Sequence, residues 1–175
     1  MLSPIELEAA RQALRDASAA LDAAEAAGEP ALLSQVLAQV SHCHRQLGAL
    51  AEAVWFAKRG LLFARGLAAV DASVDALCVL AELGVERAAL LDEQDEPQDA
   101  RRLRDGARDH GFEAARLVLR SADPQWEITV LLRVSDLFDG LGDHDDAIAL
   151  QCRAVALMTG QAPTVSSEPA RPALA

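Results

Sequence analysis

Four stretches of this sequence carry residue types that could do chemistry. His42-Cys43-His44 offers two imidazoles and a thiol, the donors of a zinc site or the makings of a thiol nucleophile. Its helical setting argues against both, because residues i, i+1 and i+2 of a helix share no face and the three side chains diverge. His144 stands among Asp143, Asp145 and Asp146, donors suited to a cation, yet aspartates at the start of a helix are also what its dipole favours. DEQDEPQD, from Asp92 to Asp99, lacks the glycine and ligand spacing of a calcium loop and reads as a solvated acidic turn. Arg101, Arg104 and Arg108 form a basic line, extended by Arg116 and Arg120, that could bind an anion. Asp105 and Asp109 intersperse it, so pairing within the helix is the expectation.

No glycine-rich phosphate loop, local Ser-His-Asp constellation or carboxylate pair on a cleft accompanies these stretches. The expectation is a protein that is not an enzyme, with no catalytic residue, no metal and no cofactor; a site assembled from distant residues would escape this reading.

Composition narrows the class. Sixteen Lys and Arg stand against 27 Asp and Glu, a formal charge of −11, which repels phosphate backbones and anionic membrane surfaces. Neither nucleic acid nor membrane is therefore an expected partner. Tyr is absent, aromatics make up 3%, and Ala and Leu dominate, which favours helices over sheets. The N-terminal MLSPIELEAARQ carries glutamates where a signal peptide needs an apolar run, and the arginine bias suits a GC-rich genome. A bacterial, cytoplasmic protein is expected. Cys43, Cys78 and Cys152 occur singly in apolar helical patterns and are expected to be buried, reduced thiols.

The elements that position these residues are all helical. Ser3-Pro4-Ile5-Glu6 is a capping box with proline at the first helical position, opening a helix over residues 3–27 that Gly28 and Pro30 end. Its Leu7, Ala10, Leu14, Ala17, Leu21 and Ala24 form a narrow seam for one other helix. Helical hairpins are expected at about 31–67, 72–120 and 124–158. The last opens on Asp123-Pro124, and Gly106 and Gly111 make the helix that carries them the weakest. Residues 1–159 form one helical-repeat domain; residues 160–175, with three prolines and no periodicity, are expected to be a disordered tail.

A repeat underlies the hairpins. LGALAEAV at Leu47, QDEPQDAR at Gln94 and LGDHDDAI at Leu141 begin 47 residues apart. The phase continues through Ala53, Ala100 and Ala147, then through Gly60, Ala107 and Ala154. A fixed period of this size marks an array in which each helical pair buries its open face on the next.

The third hairpin resembles a tetratricopeptide repeat: Leu131, Val134 and Phe138 on its first helix, Gly142-Asp143 at the turn, Ala147 and Ala154 on its second. The first hairpin is similar through Leu37, Val40, Gly48 and Ala53, although His44 replaces the family's usual aromatic and Gly60 its alanine. The middle hairpin departs most, with Asp95-Glu96-Pro97 at the turn, and the period exceeds the family's usual length of about 34 residues. The similarity spans Leu32 to Met158. It implies an all-α, tetratricopeptide-like α-α superhelix of three hairpins plus an N-terminal capping helix; a HEAT-like or irregular helical bundle is the alternative.

In that family the first helix of each hairpin lines a concave groove. The resemblance therefore implies a lining of Gln39, His42 and Arg45, then Glu82, Glu86 and Glu93, then Arg133, Asp136 and Asp139. Five carboxylates against two arginines imply a basic partner. The expected function is a protein-interaction module, adaptor or chaperone-like, holding a peptide or helical segment of another protein. A regulatory sensor domain of a bacterial signalling system is the alternative, an enzyme the third. A monomer is expected, with a homodimer through the N-terminal helix as its rival.

Overall fold

The structure, a computed structural model, describes residues 3–160. The expected tail beyond Gly160 lies outside the described residues. Within them the chain is all α, with seven helices: α1 (Pro4–Ala27), α2 (Pro30–Gln46), α3 (Leu50–Gly66), α4 (Val70–Glu93), α5 (Pro97–Val118), α6 (Pro124–Leu141) and α7 (His144–Met158). None of these helices is long and apolar enough to cross a membrane.

Local chemistry explains the boundaries. The Ser3 hydroxyl accepts from the Glu6 amide at 3.3 Å and the Glu6 carboxylate accepts from the Ser3 amide at 2.7 Å, a reciprocal cap on α1. Asp123 opens α6 by accepting from the Gln125 and Trp126 amides. Gly28, at φ 66°, ends α1. Pro30, expected to share in that ending, instead sits in the first turn of α2, where its missing N–H breaks no helical bond. The fourth helix begins at Val70 rather than Ala72, and the fifth ends at Val118 rather than Arg120.

The 47-residue spacing recurs in turn geometry. Gly48, Asp95 and Gly142 are all left-handed, at φ 75°, 62° and 83°. One residue further on, the amides of Ala49, Glu96 and Asp143 donate to the carbonyls of His44, Leu91 and Phe138, each at 2.9 Å. Asp95 thus reproduces the backbone of the two glycines. Aspartate tolerates this region better than most residues because its short side chain is compatible with it. The α3–α4 turn has the same form with Ala68 at φ 53° and Ala69 donating to the Ala64 carbonyl.

Each helix packs on the next in the chain, and α4 also touches α2 and α6. Ala53, Ala100 and Ala147 are buried on α3, α5 and α7, as are Gly60, Ala107 and Ala154 two turns later, so neighbouring helices approach closely. A Cβ on Gly84 would lie 3.2 Å from the Ala107 Cβ, and one on Gly111 only 2.9 Å from Phe138 Cε1. Gly111 in the fifth helix therefore has a packing reason, whereas Gly106 meets open space. Two cores result. Leu21, Ala24, Leu33, Leu37 and Val40 form one between α1 and α2, with Phe56 and Phe63 of α3 packed against it. A larger one, centred on Leu77, Leu83, Val118, Leu131 and Phe138, runs from α3 to α7. Within the α2–α3 hairpin the buried Ser41 hydroxyl donates to the Ala53 carbonyl at 2.8 Å. On α1, Ala10, Ala17, Leu21 and Ala24 of the expected seam are buried, with Leu7 and Leu14 half-buried.

Candidate functional site

α2, α4 and α6, the first helices of the three pairs, meet through an ion-pair network built from four of the residues expected to line a groove. Glu82 and Glu86 lie one turn apart on α4 and both face Arg45, near the end of α2. The Arg45 Nη1 donates to Glu82 Oε2 at 2.5 Å and its Nε to Glu86 Oε1 at 2.9 Å. From α6, Arg133 Nε donates to the other Glu82 oxygen, also at 2.5 Å. Glu82 is therefore the bridge, with one carboxylate oxygen for each arginine. Burial pushes the Glu82 carboxyl up, but the hydrogen bonds and charges of Arg133 and Arg45 outweigh it and hold the group below the usual glutamate range. Burial likewise opposes the charge on both arginines, and the glutamates more than offset it, raising their pKa.

This network corrects the charge balance expected for the lining. Two arginines neutralise Glu82 and Glu86 because α2 and α6 present them to the same face of α4. Of the remaining carboxylates, Glu93 is exposed at the end of α4, Asp136 is exposed on α6, and Asp139 Oδ1 lies 2.7 Å from His144 Nδ1.

Gln39 and His42, the other two expected residues, line a groove of ≈ 990 Å³. Its floor is α2 with Ala57 and Gly60 of α3, and its walls are α1 and α4, which both pack on α2 and make no contact with each other. Along α2 the groove runs from Ala31 to Cys43, about 18 Å at 1.5 Å per residue. Ala13, Ala17 and Ala20 on one wall face Ala72, Ala76 and Val79 on the other. The charged side chains in this lining are Asp16 from α1 and Asp75 from α4. Asp16 accepts from Gln12 Nε2 at 2.8 Å. Asp75 has no ion pair among the described residues; crowding by protein raises its carboxyl pKa, only partly relieved by the nearby charge of Arg133. Sequence reasoning missed both aspartates. Asp75 lies seven residues before Glu82, so continuing the inner face of α4 by two turns finds it. Nothing local marks Asp16, because α1 reads as a cap.

The other candidate chemistry disperses. His42 is exposed and within 2.9 Å of Gln46, Cys43 is buried, and the half-buried His44 ring stacks on Phe56 at 5.1 Å between centroids. Among the described residues no three His, Cys, Asp or Glu side chains gather as a metal site requires. The arginine line pairs differently from expectation. Arg108 does bond Asp105 on its own helix, but it also reaches Asp143 Oδ2 at 2.6 Å, and Arg104 pairs with Asp92 of α4. These side chains face neighbouring helices, which offer better-placed carboxylates than the arginines' own. Cys43 and Cys78 are buried, whereas Cys152, expected to be buried, is exposed, because Ala147 and Ala154 rather than Cys152 face the core on α7. Burial pushes the Cys78 thiol up to about 11. Neither a protein-family model nor a curated protein sequence matches this chain.

Proposed function

We propose that the chain is a protein-interaction module, an adaptor or chaperone-like protein of tetratricopeptide-like architecture, that holds a helical segment of another protein between α1 and α4. The open trough supports this reading. Its length matches about three turns of helix, and its walls are mostly alanine with one aspartate on each. Laying an amphipathic helix into a groove is a recurrent mode of recognition. The burial of α1 on α2 within one chain supports α1 as a cap and a monomeric protein.

Site-specific photo-crosslinking in cells tests the reading. Benzoylphenylalanine at Gln39, in the groove, is expected to yield a discrete protein adduct that the same group at Arg101, exposed on α5, does not. Adducts from Arg101 or from the exposed Trp55, with none from Gln39, overturn it.

A further inference from the structure

The groove is a trough built of small side chains, and this limits what can fill it. Alanines dominate both walls, the α2 floor mixes Ala31 and Ala38 with serines, glutamines and His42, and Leu67 and Val79 are the large aliphatic side chains of the lining, so most of the bulk that fills it must come from the occupant. The walls do not touch each other, and each already packs on α2. A rod about 10–12 Å across, the diameter of a helix with its side chains, completes a four-helix arrangement there. The charge is one-sided: Asp16 stands on one wall, Asp75 on the other, and the lining holds neither Lys nor Arg. Arg133, the cation whose charge reaches Asp75, is committed to Glu82.

We propose that the occupant is an amphipathic cationic helix of another protein, with large aliphatic side chains directed between the alanine-rich walls and Lys or Arg at its edges against Asp16 and Asp75. This rests on the groove being the binding surface. The chain's overall charge of −11 adds steering toward the same class of partner. The two aspartates go beyond steering, since they fix where the cations sit.

The test uses the full chain and a fluorescent synthetic helix of leucine and lysine, with a second helix in which glutamate replaces lysine. Anisotropy is read at low ionic strength and again near physiological salt, where the Debye length falls to about 8 Å. The Leu-Lys helix is expected to bind, and the Asp16→Asn, Asp75→Asn double variant to weaken it about tenfold at low salt. An equal change of net charge on α7, Asp145→Asn with Asp146→Asn, is expected to alter binding by less than about twofold. Ala38→Trp, which fills the groove from an exposed position on its floor, is expected to abolish binding while circular dichroism stays unchanged.

Equal weakening by the two charge variants, or equal binding of the Leu-Glu helix, overturns the cationic occupant. So does a chain ending at Gly160 that binds the Leu-Lys helix tenfold more tightly, which makes residues 161–175 the occupant, or a dimer in ultracentrifugation that Ala38→Trp abolishes. Absence of Leu-Lys binding overturns it too. In these cases photo-crosslinking at Gln39 still decides whether the groove binds a partner. Undiminished binding to Ala38→Trp removes the groove itself.

Discussion

Replacing Glu82 with glutamine keeps the shape of the side chain and removes the charge that two arginines from two other helices share. A charge-assisted hydrogen bond contributes about 1.5–3 kcal/mol when well shielded. The Glu82 and Arg133 side chains keep 23% and 35% of their exposure, so water screens part of that value. Exposed pairs contribute about 0.2–1 kcal/mol, and two half-shielded bonds together place the loss at about 1–2 kcal/mol. For a domain of this size the melting temperature falls about 2–4 °C per kcal/mol. Glu86→Gln is the control: its carboxylate reaches Arg45 alone and is 39% exposed, so its loss stays below about 1 kcal/mol. Urea unfolding followed by far-ultraviolet circular dichroism measures both. The pH dependence adds a second readout. The folded-state pKa of Glu82 is depressed, so the stabilisation is complete above the ordinary glutamate range and is lost as pH falls through the lower, folded value. The gap between wild type and Glu82→Gln is therefore constant near neutrality and closes in acid. Equal stability of the two forms at neutral pH, or a larger loss for Glu86→Gln, refutes the bridging role.

Gly106→Ala and Gly111→Ala, five residues apart on α5, are expected to act in opposite directions. The first meets open space and stabilises by about 0.5–1 kcal/mol, while the second drives a Cβ against the buried Phe138 and costs about 1–3 kcal/mol, less its helix-propensity gain; denaturant midpoints check the signs. Ala68→Gly relieves a left-handed alanine at φ 53° and should raise stability by about 0.5–1 kcal/mol, readable as a higher melting temperature. A thiol reagent near neutral pH should label Cys152 rapidly in the native protein and leave Cys43 and Cys78 protected until unfolding, a difference that mass spectrometry resolves site by site.

Much of the local structure was legible in the sequence because its causes are local. Ser3-Pro4 and Asp123-Pro124 open helices by satisfying their own first amides, and Gly48 and Gly142 close them by adopting a backbone most residues avoid. The 47-residue phase marked Ala53, Ala100 and Ala147 as contact positions, and all three are buried. Asp95 was the exception: its residue type does not require the left-handed turn that its position in the period imposes.

The site depended on distances that no local pattern encodes. Arg45 meets Glu82 and Glu86 across 37 and 41 residues, and Arg133 meets Glu82 across 51. Whether such charges pair depends on the rotation and crossing of α2, α4 and α6 about one another, so the sequence showed carboxylates and arginines on inner faces but not their mutual neutralisation. The groove has the same origin. It exists because α1 and α4 each pack on α2 without meeting, and this relation between helices, not the residues of any one of them, brings Asp16 and Asp75 into one lining.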